Sequence, residues 1–150
     1  NMISNGKFSE SLTSPRSSLE YSVDHNASST SEYPSSIDMS PGKIAEHEIL
    51  STINSGIYIS NLWYLNFSDR NNGRMTGLTR FGCFVVEAGE LVAPINTMRF
   101  DDSVYSMLGD NLIGLTEKRE LLIDSGSYEE RSTSSARLPG AVINNFKMTL

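Results

Sequence analysis

Between Gly56 and Pro94, aromatic and β-branched residues recur in short runs divided by Gly, Asn and Asp. The runs are Gly56-Ile-Tyr-Ile-Ser-Asn-Leu-Trp-Tyr-Leu-Asn-Phe-Ser-Asp-Arg70, Arg74-Met-Thr-Gly-Leu-Thr-Arg80 and Phe84-Val-Val-Glu-Ala-Gly-Glu-Leu-Val-Ala-Pro94. Such side chains suit a pleated, half-buried surface, and the breakers suit tight reversals. The pattern predicts a strand from Ile57 to Phe67, a turn at Asp69-Arg-Asn-Asn-Gly73 and a return strand from Met75 to Glu87. A second reversal at Glu87-Ala-Gly-Glu90 leads into Leu91–Ile95, which makes a three-stranded antiparallel meander.

The flanking segments are weaker in signal. Residues 1–40 are rich in Ser, Thr, Asn, Asp and Pro with isolated apolar residues, so they read as a loop-rich arm; alternation in Ser18–Val23 suits one short edge strand, and Ile37 and Met39 could anchor the return. Residues 41–150 read as the body. Ser40 as N-cap, Pro41 in the first helical position and Gly56 as a stop predict one helix. Asp101-Asp102 before Val104–Gly109 predicts a second, with acidic residues at its positive end. Leu112–Leu115 reads as an irregular turn, Glu120–Asp124 as a strand, Gly126–Ala136 as a polar loop and Gly140–Leu150 as a final strand. The expected class is mainly β (α+β), antiparallel, with two short helices.

Composition narrows the function. A chain of 150 residues is one domain's worth. Its longest apolar runs, such as Leu121–Ile123, are far too short to span a bilayer, and no secretory signal follows Met2. The formal charge of −6 argues against a nucleic-acid surface, which needs clustered Lys and Arg. The single cysteine, Cys83, lies among Phe81, Phe84 and Val85 with no neighbouring His to activate it, and reads as a small buried apolar residue in a reducing cytoplasm.

Chemistry-bearing motifs are scarce. His47 is followed by Glu48 but lacks a second His one turn on, and His25 sits in the polar arm; no zinc centre assembles from these two histidines. No Ser lies in a Gly-x-Ser-x-Gly elbow. The carboxylate pairs Asp101-Asp102 and Glu129-Glu130 are what a helix start or a solvated loop also produces. Catalytic and metal-binding residues are therefore expected to be absent. What remains is a polar cluster of Asn61, Tyr64, Asn66, Asp69, Arg70, Arg74, Thr76, Thr79 and Arg80, with Arg99 and Asp101 further on. It is either a face that holds an extended peptide or a partner, with Arg forked onto carboxylates, or a set of internal pairs such as Asp69 with Arg74 across the turn. Trp63 reads as a core or interface anchor. Asn61, Tyr64, Asp69, Arg74, Thr76 and Arg80 are the candidate binding residues.

The order and spacing of Ser14-Pro-Arg16, Gly56–Asn66, Arg74–Arg80, Val86–Pro94 and Leu138-Pro-Gly140 resemble the C-terminal domain of the TldD/PmbA family, zinc metallopeptidases and metal-free relatives also labelled modulators of DNA gyrase. The resemblance implies a barrel-like domain from a larger two-domain protein. Active members carry a His-Glu-x-x-x-His helix and a Cys-containing segment that bind zinc. The segment corresponding to the latter, Arg131–Pro139, has no metal-binding side chain, which is similar to the metal-free PmbA-like branch. That branch implies a noncatalytic role in proteolysis or peptide maturation, with peptide or unfolded polypeptide as ligand. Its implied partners are a second copy or a TldD-like catalytic subunit, and zinc would be held only by that partner or by a parent family member. The alternative is a stand-alone peptide- or protein-binding β module. Neither reading involves direct nucleic-acid or membrane contact.

Overall fold

The computed structural model describes residues 1–127 and 131–149; the Glu129-Glu130 pair and the end of the strand expected to reach Leu150 lie outside the described residues. In chain order the elements are β1 (Ile3–Ser4), β2 (Lys7–Phe8), α1 (Pro15–Tyr21) and β3 (Ser36–Asp38). A 3-10 turn (Glu46–Glu48) then runs into α2 (Ile49–Ile53), followed by β4 (Gly56–Tyr58), β5 (Asn61–Asp69), β6 (Arg74–Arg80), β7 (Phe84–Glu87) and β8 (Glu90–Pro94). The chain continues through β9 (Arg99–Ser103), α3 (Val104–Met107), β10 (Leu112–Ile123), β11 (Ser135–Ile143) and β12 (Met148–Thr149). The fold is mainly β; β1-β2, β12-β9, β4-β7, β5-β6, β6-β9 and β7-β8 pair antiparallel, while β3 runs parallel to β11 and Ile44 makes an isolated parallel bridge to Thr116. Among the described residues the strands form separate sheets, ordered β1-β2, β10-β11-β3, β12-β9-β6-β5 and β4-β7-β8, and no closed barrel, contrary to the barrel-like expectation. The chain divides into two compact units, Asn1–Met39 with Leu121–Leu138, and Ser40–Glu120 with Pro139–Leu150.

In the first unit the arm is organised by local capping. The Ser14 hydroxyl accepts the N–H of Ser17 at 3.2 Å and Pro15 occupies the first helical position, so a helix forms over Pro15–Tyr21 where an edge strand was expected. The Glu32 carboxylate accepts the N–H of Ser14 at 2.8 Å, fixing the cap from outside. β3 pairs with Ser135–Arg137 of β11, with Arg137 and Asp38 3.7 Å apart.

In the second unit the predicted reversal at Glu87–Glu90 carries β7 back into β8, but a bend divides the first two strands of the expected meander. β4 pairs with β7 and β5 with β6, but the two pairs belong to different sheets. The bend falls at Ile59-Ser60 on one strand and Phe81-Gly82-Cys83 on the other, where Phe81 adopts a left-handed φ of 62°. The Ser60 hydroxyl and the Cys83 thiol each donate to the Arg80 carbonyl, both at 3.3 Å, so the bend satisfies its own acceptor.

The helix expected from Ser40 starts late, at Glu46, because Gly42 and Ile44 are engaged elsewhere. Gly42 N–H donates to the Thr116 carbonyl at 2.9 Å and Ile44 N–H to that of Leu115 at 3.1 Å. A side chain at Gly42 would fall 2.1 Å from the Leu115 carbonyl oxygen, so only glycine permits this approach. The second helix also starts late: Asp101 and Asp102 lie in β9, and α3 begins at Val104. Among the described residues Phe100, Val86, Cys83 and Val142 are the buried apolar side chains, with the Phe100 ring centroid 5.1 Å from that of Phe146 in a tilted pair.

Candidate functional site

The β12-β9-β6-β5 sheet sorts its side chains by register. Opposite pairs Asn61–Arg80, Trp63–Leu78, Asn66–Thr76 and Asp69–Arg74 link β5 to β6, and Leu78–Arg99, Thr76–Asp101 and Arg74–Ser103 link β6 to β9. Because directly paired residues share a face and neighbours alternate, these side chains line one polar face. The other face carries Met75, Gly77, Thr79, Phe100 and Asp102; Phe100, Thr79 and Asp102 are fully buried. A Cβ on Gly77 would stand 2.8 Å from both Leu65 Cδ2 and Phe100 Cε1, so glycine is what lets this inner face close.

Five of the six residues singled out in the sequence, Asn61, Asp69, Arg74, Thr76 and Arg80, thus fall on one face. Asp69 stands opposite Arg74 in register, but its carboxylate forms no ion pair with that guanidinium. Its Oδ1 accepts the N–H groups of Asn71 and Asn72 at 3.0 and 3.2 Å, and its Oδ2 accepts the Asn72 side-chain amide at 2.6 Å, which hold its carboxyl below the ordinary range, the Asn72 amide foremost. Arg74 instead reaches Asp101, with Nη2 2.6 Å from Oδ1 and 3.3 Å from the Asp101 carbonyl. The Asp101 carboxyl is held low first by the Ser68 hydroxyl, against partial desolvation, with Arg74 and then Arg99 adding. The Thr76 hydroxyl donates to the Phe100 carbonyl at 2.8 Å and accepts from Arg99 Nε at 3.3 Å. Arg80 lies over two rings, 5.5 Å from the centroid of Trp63 and 5.8 Å from that of Phe81.

Tyr64 departs from the alternation. It has a φ of 51° beside the register shift between Trp63 and Asn66, and its exposed ring meets Trp63 edge-on at 6.0 Å. β5 ends the sheet order, and Trp63, Tyr64, Leu65 and Phe67 are all at least 46% exposed along it. Phe81 and Ser68 complete the Arg80 and Asp101 environments and escaped the sequence reading. Phe81 belongs there only because the chain bends immediately after β6, a feature that the unbroken run Met75–Glu87 conceals.

No metal centre forms from these elements. Among the described residues no three His, Cys, Asp or Glu side chains converge. Cys83 is buried with its thiol on a carbonyl, and His25 Nδ1 accepts the N–H of Ala27 at 3.2 Å. The described residues do not fit a zinc site. No helix among them is long and apolar enough to cross a membrane.

No curated protein matches the chain at a significant level. Among solved structures, TldE from Thermococcus kodakarensis superposes with a TM-score of 0.77 at 16% identity, covering 99% of this chain and 33% of that one. A Thermotoga maritima protein described as a candidate modulator of a DNA gyrase superposes with a TM-score of 0.77 at 12% identity, covering 99% and 32%. The chain therefore spans about a third of the length of either, and the likeness to both is one of fold. The model of the PmbA/TldA metallopeptidase C-terminal domain matches residues 1–150, and the chain belongs to that family.

Proposed function

We propose that this chain is a noncatalytic domain of a TldD/PmbA-type, metallopeptidase-related protein, acting in the cytoplasm to shape a peptide-accepting surface and a subunit interface. The observation that supports this most is the edge strand β5, which exposes Trp63 on the face that carries Arg74, Arg80 and Arg99, and exposes Phe67, opposite Met75, on the other face. An extended polypeptide is matched by such a surface, because its backbone can align with an open strand while alternate side chains meet rings and guanidinium groups. Membership of the family supports the link to peptide processing, and hydrolysis would belong to a TldD-like catalytic subunit that holds the zinc. The acidic balance of the chain favours no DNA contact, so any effect on gyrase would run through polypeptide.

The test is to mix the purified chain with a fluorescently labelled, reduced and alkylated unfolded protein. Anisotropy should rise saturably, gel analysis should show no cleavage, and metal analysis should find no stoichiometric zinc. Cleavage by the chain alone, or one tightly held zinc per chain, would defeat the proposal.

A further inference from the structure

The polar face of the β12-β9-β6-β5 sheet is unevenly neutralised. It carries Arg74, Arg80 and Arg99 against Asp69 and Asp101, on a chain whose formal charge is −6. Asp69 is occupied by its own turn, and Asp101 serves Arg74 while also lying in the field of Arg99. Arg80 pairs with no carboxylate among the described residues. Its guanidinium carbon lies 5.5 Å from the Trp63 ring centroid and 5.8 Å from that of Phe81, and its residue is exposed. A guanidinium drawn to ring faces can still present N–H groups to a planar oxyanion, and one already placed near its ligand has less freedom to lose on binding.

Resting on the peptide-binding reading above, we propose that the Arg80–Trp63 end of this face selects acidic extended segments, with a Glu or Asp carboxylate on Arg80 and an apolar side chain of the segment on the exposed ring of Trp63. Charge complementarity carries the choice of ligand: a local cationic excess on an acidic protein attracts carboxylates and repels lysine-rich chains. A carboxylate meeting the guanidinium gains a charge-assisted bond, stronger than the neutral hydrogen bond that a hydroxyl could accept there.

Trp63 is the only tryptophan in the chain, so its emission reports the site directly. Capped hexapeptides alternating Val with Glu, Val with Ser and Val with Lys would be titrated against the intact chain. The Glu peptide should bind about tenfold more tightly than the Ser peptide, and this preference should shrink as ionic strength rises. The Lys peptide should give the weakest response. Arg80→Gln should bring the Glu peptide down to the level of the Ser peptide, and Arg80→Lys, which keeps the charge without the planar fork, should fall between, with unchanged circular dichroism in both. Equal affinity for the Glu and Ser peptides, or a preference that survives Arg80→Gln, would overturn the selectivity while leaving general peptide binding standing. Failure of every peptide to bind, checked by equilibrium dialysis, would overturn both.

Discussion

The carboxylate of Asp102 accepts the backbone N–H of Lys147 at 3.1 Å across 45 residues of chain. Asp102 is 0% exposed, and its other oxygen accepts the N–H of Ser103 at 2.8 Å, with the Lys147 ammonium at 4.0 Å. One buried side chain thus satisfies two backbone donors and ties the segment before β12 onto β9. Removing it leaves both donors without that acceptor, so Asp102→Ala should cost on the order of 2–4 kcal/mol in urea unfolding. A loss under about 0.5 kcal/mol, the usual range for surface substitutions, would show that the bond is dispensable.

Gly77 tests the inner face of the same sheet. Its absent side chain leaves room for Leu65, Phe100 and the Trp63 carbonyl, each within 2.9 Å of where a Cβ would stand. One of these is backbone and cannot rotate away. Gly77→Ala should therefore destabilise by about 1–3 kcal/mol, read as a lower unfolding midpoint with little change in m-value.

Asp101 gives a pH-dependent prediction. Its folded pKa is lowered, first by the Ser68 hydroxyl and then by Arg74 and Arg99. A lowered folded pKa means that the contribution is fully present above the unfolded carboxylate value of about 3.9 and disappears as pH falls through the folded value. Asp101→Asn should be less stable than the parent chain at neutral pH, and the gap should close below about pH 4. A gap that stays constant down to the acid limit would contradict the arrangement.

Cys83 is buried and its thiol donates to the Arg80 carbonyl. A thiol reagent should label it slowly in the native chain and at once in denaturant, since attack requires an exposed thiolate. Rapid native labelling would show that the bend at Phe81–Cys83 opens readily.

The strands and the polar face were legible because they depend on local alternation. Asn61, Asp69, Arg74, Thr76 and Arg80 occupy the face that their spacing in two adjacent strands implies, whichever sheet those strands join. What stayed hidden depends on partners distant in sequence. Ser40-Pro41-Gly42 has the punctuation of a helix start, yet a backbone approach to Leu115 overrides it, and the helix waits until Glu46–Ile53. Asp101 and Asp102 look like a helix N-terminus when read alone. In the fold one meets Arg74 and the other is buried under Lys147, and nothing within ten residues of them announces either partner. The bend dividing β4 from β5 and β6 from β7 was concealed because its residues, Ile59 and Phe81 among them, are themselves good strand formers.

On the proposed function, β5 receives extended polypeptide. Amide hydrogen exchange, followed by mass spectrometry with and without a saturating unfolded polypeptide, tests it most directly. Added protection is expected in peptides covering Asn61–Asp69, with little change in β8 or in Asn1–Met39. Protection confined to those other segments, or none at all, would contradict it.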